Sequence, residues 1–188
     1  LVEQLLGKIP KRREKDVIYF NMLDREKPLG FNVLEWHTPE EQDLVIDELY
    51  LTLDRIYDMK LVGGSCYEAN FRGITKLLTS AKKEGVYIPT LLEFTLCYQE
   101  RRFRKWLKER TTDPQVLDFV KELENTGGEG SLDNISPYIT SKFTRFVQDS
   151  TLRHIIGQEE TSFDFEEVMN KLNLQKGDTV YAMFKASS

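Results

Sequence analysis

The sequence predicts a mainly α-helical protein, a helical bundle of about six to eight helices with short strands only at its N- and C-terminal ends. Three observations carry that expectation. Thr38-Pro39-Glu40-Glu41 and Thr90-Leu91-Leu92-Glu93 have the form of a capping box: a hydroxyl takes a free backbone N–H, and the glutamate three residues on reaches back. Pro39 falls at the first helical position, where its missing N–H is no loss. Between residues 38 and 172, apolar residues recur three or four apart in five stripes, the period of a buried helix face.

Taken in order, residues 1–9 read as a short amphipathic helix ended by Gly7 and Pro10. After the basic run Lys11-Arg12-Arg13, the string Asp16-Val17-Ile18-Tyr19-Phe20 reads as a strand by its β-branched and aromatic content. Asn, Asp, Pro and Gly punctuate residues 21–30 as a loop, and Phe31-Asn32-Val33-Leu34 follows as a short extended piece. The helix opened by Thr38 turns Val45, Leu49, Leu53 and Ile56 inward, and Gly63-Gly64 breaks the chain after it. A second helix uses Phe71, Ile74, Leu77, Leu78 and Ala81 and ends near Gly85. Thr90 opens a third, and the basic residues 101–110 form a fourth or continue the third. Asp113-Pro114 starts a fifth with Val116, Phe119, Val120 and Leu123 inward, followed by a glycine-rich loop over 125–130. Ile135, Ile139, Phe143, Phe146 and Val147 mark a sixth, with Pro137 tolerated only in its first turn. Residues 152–156 make a short seventh stopped by Gly157, and 165–172 an eighth. The tail differs: 174–178 is a turn, and 179–185 alternates like a strand.

With 188 residues, 40% hydrophobic and 11% aromatic, the chain has the material for one domain with a real core. The net charge of −5 speaks against a general nucleic-acid binder. Cys66 and Cys97 are too few for a disulfide framework and suit a reducing compartment; neither they nor His37 and His154 have metal-ligand spacing. No run approaches the ~18 apolar residues of a membrane span. The chain opens at Leu1 in mid-pattern and reads as part of something longer.

No catalytic constellation is present in the sequence. Nothing matches the phosphate-binding pattern of Gly, four residues, then Gly-Lys-Ser/Thr; Gly127-Gly128-Glu129-Gly130 lacks the lysine and reads as a flexible loop. The neighbours Asp47/Glu48 and Glu166/Glu167 splay apart on a helix and read as solvated. No Ser or Cys has a base beside it. The chain is therefore not expected to be an enzyme or to hold a cofactor or metal.

Charge is unevenly spread. From Glu35 to Asp58 there are eight acids and one base, and from Arg101 to Arg110 six bases and one acid. The basic segment supplies the candidate partner or DNA-binding residues: Arg101, Arg102, Arg104, Lys105, Lys108 and Arg110. On a helix, Arg101, Arg104, Lys105 and Lys108 share one face, suited to phosphates or an acidic protein, while Phe103, Trp106, Leu107 and Arg110 lie toward another. The plainer alternative is an amphipathic surface helix whose aromatics fasten it to the core.

Several strings, in order, resemble the type IV secretion coupling proteins, the hexameric, membrane-anchored ATPases of conjugation. Asp16-Val17-Ile18-Tyr19-Phe20-Asn21, Pro28-Leu29-Gly30-Phe31-Asn32-Val33-Leu34 and Pro39-Glu40-Glu41 resemble the start of that family's all-alpha domain. Gly63-Gly64-Ser65-Cys66-Tyr67-Glu68 resembles the next stretch, although Ser65 stands where the family has proline. Ile135-Ser136-Pro137-Tyr138-Ile139-Thr140-Ser141-Lys142-Phe143 resembles a later helix of that domain. Leu152-Arg153-His154-Ile155-Ile156-Gly157-Gln158 and Ser162-Phe163-Asp164-Phe165 resemble the return to the ATPase core.

The resemblance implies an all-alpha insertion domain over 38–160. Residues 1–37 would be an edge of the RecA-like nucleotide-binding domain, and 161–188 a return segment with an atypical tail. It further implies a cytoplasmic domain of an inner- or plasma-membrane-anchored homo-hexamer, with ATP and magnesium bound only in the full-length parent. The implied partners are a relaxase or accessory protein of the relaxosome, or a secreted protein substrate; single-stranded DNA at the mouth of the translocation channel is the alternative. The tail, 174–188, departs from the family and resembles the end of a small molybdate-binding β module, too little of one to bind an oxyanion.

Overall fold

The computed structural model describes residues 4, 6–17, 19, 21, 24–127 and 131–164. Among these the protein is helical, with eight α-helices and no strand; one isolated antiparallel bridge joins Lys83 and Tyr87. The helices are α1 (Pro39–Tyr57), α2 (Met59–Ser80), α3 (Glu93–Gln99), α4 (Arg101–Lys108), α5 (Pro114–Asn125), α6 (Leu132–Thr140), α7 (Thr144–Gln148) and α8 (Ser150–Ile156). The eighth helix expected over 165–172 and the strand expected over 179–185 lie outside the described residues.

The N-terminal expectations need correction. Residues 11–16 form a short 3-10 helix, Lys11–Asp16, so Asp16 ends a helical turn instead of opening a strand; Val17 and Tyr19 belong to no strand. Of the helix expected over 1–9, residues 4 and 6 are helical and 7–9 turn away. Residues 31–34 pair with no strand either, since their backbone groups bond to the far end of the domain instead.

Helix α1 starts where the capping box placed it, with Thr38 Oγ1 accepting from Glu41 N–H at 3.2 Å. The return bond is displaced by one residue: Glu41 accepts the N–H of His37, not that of Thr38. The buried face is also rotated from the expected one. Gln42, Ile46, Tyr50 and Leu53 are buried and Tyr57 is half-buried, whereas Ile56 is 61% exposed and Val45 and Leu49 only flank the core. Tyr50 packs its ring inward, at 5.7 Å from Phe71, and its place in the stripe carries the spacing past Ile56.

Gly63-Gly64 does not break the chain. The break falls at Asp58, whose left-handed backbone (φ 51, ψ 53) alone separates α1 from the unbroken 22-residue α2. Asp tolerates that region better than most residues. Each glycine costs a helix only about 1 kcal/mol, and buried Met59 and Tyr67 hold the helix on either side. Arg72 on α2 pairs with Asp47 on α1, and Lys76 with Asp43, so the two helices run antiparallel.

The C-terminal half of α2 is the centre of the molecule. Phe71, Ile74, Thr75, Leu77, Leu78 and Thr79 are all fully buried, and only the side carrying Arg72 and Lys76 stays partly open. Its buried hydroxyls are satisfied within the helix, Thr75 Oγ1 donating to Phe71 O and Thr79 Oγ1 to Thr75 O. The helix ends at Ser80, before the turn that holds Gly85. Its Phe71 stacks on Phe143, and Phe94 of α3 packs tilted against both, with Phe94 and Phe143 centroids 4.2 Å apart. Asp113 caps α5 as expected, and Val116, Val120 and Leu123 face inward with Phe119 half-buried.

The sixth expected helix is two, α6 and α7, parted by a turn that carries Phe143. Pro137 stands inside α6, past its first turn. Asp149 caps α8 through the N–H groups of Thr151 and Leu152, which holds its carboxyl below the usual range. Gly157 does end α8, but at φ −96, so its value is space: a Cβ there would come within 2.4 Å of Leu92 Cδ1.

The segment leading into the helices lies against the segment leading out. Gly30 N–H donates to Ser162 Oγ (2.7 Å) and Gly30 O accepts from Ser162 N–H (2.9 Å); Phe31 N–H donates to Ile155 O (2.9 Å). A Cβ at Gly30 would fall within 2.8 Å of Glu160 O, so only glycine permits this approach. Asn32 is the knot. Its Nδ2 donates to Pro89 O (3.0 Å) and Glu159 O (2.9 Å), and its Oδ1 accepts from Leu34 N–H (2.9 Å). The packing therefore reaches upstream of Thr38, with Leu34 fully buried and Phe31 and Val33 against the core. Asn32→Asp keeps the shape but sets a carboxylate against two carbonyl oxygens. It is expected to cost about 3 kcal/mol in urea denaturation, since buried groups left without partners lose their full desolvation cost.

Candidate partner-binding helix

Helix α4 is separate from α3, because Glu100 between them is extended (φ −114, ψ 99). Its aromatic side is fastened down. Leu107 is fully buried, and Trp106 meets Tyr87 edge-on at 5.1 Å and stacks with Phe103 at 6.0 Å. Tyr87 belongs to the Lys83–Tyr87 bridge, so that turn forms the floor under α4.

The structure divides the six candidate bases. Arg104 is not on the exposed face: it is only 5% exposed, and its Nη1 donates to Cys97 O (2.7 Å) and Tyr98 O (3.1 Å). Those carbonyls belong to the last turn of α3, which has no helical donors of its own for them. A guanidinium there also meets the negative end of the helix dipole. Arg104 is thus a clamp between the two helices. Its neighbour Cys97 is buried, and burial pushes that thiol up despite the nearby guanidinium. On the helical wheel Arg104 lies within about 60° of Leu107, the one sequence signal that it borders the buried side.

Arg110 is exposed but committed, its guanidinium 3.7 Å above the Trp106 ring and Nη1 donating to Trp106 O at 2.9 Å. Lys108 stands 3.8 Å from Glu124 of α5, and Lys105 4.0 Å from Glu109. Arg101 and Arg102 are exposed, and neither makes an ion pair among the described residues. The accessible basic surface is thus Arg101, Arg102 and Lys105, with Lys108 at its edge. Arg101 and Lys105 share a face as the four-residue spacing requires.

Elsewhere, the acids of α1 are partly neutralised by α2: Arg72 bonds Asp47, and Lys76 bonds Asp43. Among the described residues no group of three or more His, Cys, Asp or Glu is placed to hold a metal, and no helix is long and apolar enough to cross a membrane. Cys66 is exposed and Cys97 buried, both as free thiols. Asn32 carries a single signal in the sequence, a lone polar residue in an apolar string. Comparisons with protein-family models, with the curated proteins and with the solved structures give no match for this chain.

Proposed function

We propose that this chain is an interaction module, the substrate- and relaxosome-recognition domain of a type IV coupling protein. The observation that carries this reading is the pairing of residues 30–35 with residues 155–162. Through Gly30, Phe31, Asn32 and Glu35 the incoming chain is bonded to the outgoing one, so the helical body departs and returns at one place. A domain inserted into a host must do so. The ordered series of strings resembling that family points the same way. Nucleotide hydrolysis belongs to the parent ATPase in this reading, since the sequence here has no phosphate-binding loop.

Within the module, α4 is the partner face. Arg101 and Arg102 occupy its first turn, which contains no acid. The positive end of a helix dipole disfavours cations there, so their placement works against helix stability and favours a role in binding. The double variant Arg101→Glu/Lys105→Glu is expected to keep its helicity by circular dichroism. It is expected to bind the relaxase or accessory protein of its conjugation system at least about ten-fold more weakly. A titration with single-stranded oligonucleotide separates the alternative. Direct DNA contact predicts an affinity falling steeply with salt, with a log–log slope flattened by about 0.7 for each phosphate the variant no longer neutralises. Unchanged affinity for both kinds of partner would remove α4 from the binding surface.

A further inference from the structure

Helix α1 has a second face, turned away from the core. Leu44, Glu48, Leu51 and Arg55 follow one another at four, three and four residues, which sets them in one row opposite the buried Ile46, Tyr50 and Leu53. All four are exposed, Leu44 at 58% and Leu51 at 37%. Lone surface leucines are ordinary. These two lie on one line with a charge beside each. Among the described residues neither Glu48 nor Arg55 forms an ion pair, whereas Asp43 and Asp47, on the α2 side of the helix, are taken by Lys76 and Arg72.

We propose that this row is a homodimer seam, on which α1 of a second copy lies antiparallel about a twofold axis beside Leu51. In such an isologous contact, residues equally far on either side of the axis face each other. With the axis between Leu51 and Thr52, Glu48 and Arg55 each stand about 5 Å from it along the helix. Glu48 of each copy then meets Arg55 of the other, and the two Leu51 side chains pack across the axis. Leu44 lies one turn beyond Glu48, within reach of that arginine's aliphatic stem. Parallel pairing would set glutamate on glutamate and arginine on arginine, so charge selects the antiparallel arrangement. Docking of the row on the basic α4 of another copy would leave Arg55 against like charge. One helix face is a small interface, below about 1,200 Å² in total, so the dimer is weak, with Kd on the order of 10–100 µM. The seam uses no residue of α4 and is independent of the function proposed above.

Sedimentation equilibrium from about 10 µM to 1 mM, a range that brackets this Kd, is expected to show an average mass that climbs from one chain and levels at two. A mass that stays at one chain, or passes two, overturns the seam. Glu48→Arg and Arg55→Glu each bring like charges together and should weaken association at least about ten-fold. Both side chains are in solvent, so circular dichroism should be unchanged. Mixed in equal amounts, the two variants oppose unlike charges and should dimerise as the wild type does. The double reversal in one chain should do the same. Single variants that dimerise like the wild type, or a mixture that stays monomeric, overturn the pairing of Glu48 with Arg55. Arg101→Glu/Lys105→Glu should leave the dimer intact, which separates this test from that of the α4 face. Loss of the dimer in that variant would place the contact on α4 and overturn the α1 seam.

Discussion

Arg104→Glu is expected to destabilise the protein by about 3–5 kcal/mol, the range seen when one member of a buried charged contact is replaced by an uncompensated charge. The reason lies in what surrounds the guanidinium. Cys97 O and Tyr98 O receive their hydrogen bonds from it, and a carboxylate in the same space would face two acceptors with nothing to donate. For a chain of this length the melting temperature should fall by roughly 10–15 °C. Arg104→Met separates the two parts of the effect. It fills much of the same volume without charge and should cost about 2–3 kcal/mol, for the two carbonyls left bare. Arg101→Glu and Lys105→Glu on the same helix should leave the transition where it is, because both side chains are in solvent. If Arg104→Glu melted with the wild type, the clamp between α3 and α4 would be refuted, and Arg104 would return to the exposed face.

Phe94→Ala is expected to cost about 3–5 kcal/mol, the usual range for truncating a fully buried aromatic ring. Phe94 is 0% exposed and touches Phe71, Phe143 and Tyr98 at centroid distances of 5.3, 4.2 and 5.5 Å. It therefore joins α2, α3 and the turn after α6 in one cluster of rings. Phe143→Ala should cost a similar amount. The double variant should fall short of the sum by about 1 kcal/mol, since neighbours in contact do not add and the rings share one cavity once either is removed. Urea denaturation of the four species measures the coupling directly. Additivity would mean that the two rings lie in separate parts of the core.

Local chemistry was legible wherever a residue satisfies a need of its own segment. Thr38 and Asp113 mark helix starts because a cap's hydrogen bonds close within about three residues, and both cap their helices here; Thr90 instead closes a turn with Leu92 and Glu93 ahead of α3, whose N-cap is Leu92 without a side-chain bond. The α5 stripe was legible because its apolar residues recur at helical period with no competing choice. The mainly helical class follows from the same period repeated along the chain.

Local signals do not decide the structure where the deciding partner is distant in sequence. Gly63-Gly64 is a local breaker, yet α2 runs through it, because burial of Met59, Tyr67 and Phe71 outweighs a glycine penalty that no tertiary contact is needed to foresee. Ile56 and Tyr50 exchange roles because the inward face of α1 is set by where α2 lies, not by which residue is more apolar. Residues 31–34 have strand-like composition but find their hydrogen bonds on residues 155 and 161, more than a hundred positions away.

The helical class, most of the helix starts and the two-sided character of α4 are thus written in the chain itself, because periodicity and capping act over a few residues. Packing between distant elements made Arg104 a clamp and left Arg101, Arg102 and Lys105 as the accessible bases. It also made Asn32 the tie between the two ends of the domain. A side chain's period assigns it to a face, but whether that face meets solvent, a helix end or an empty space depends on the element packed against it.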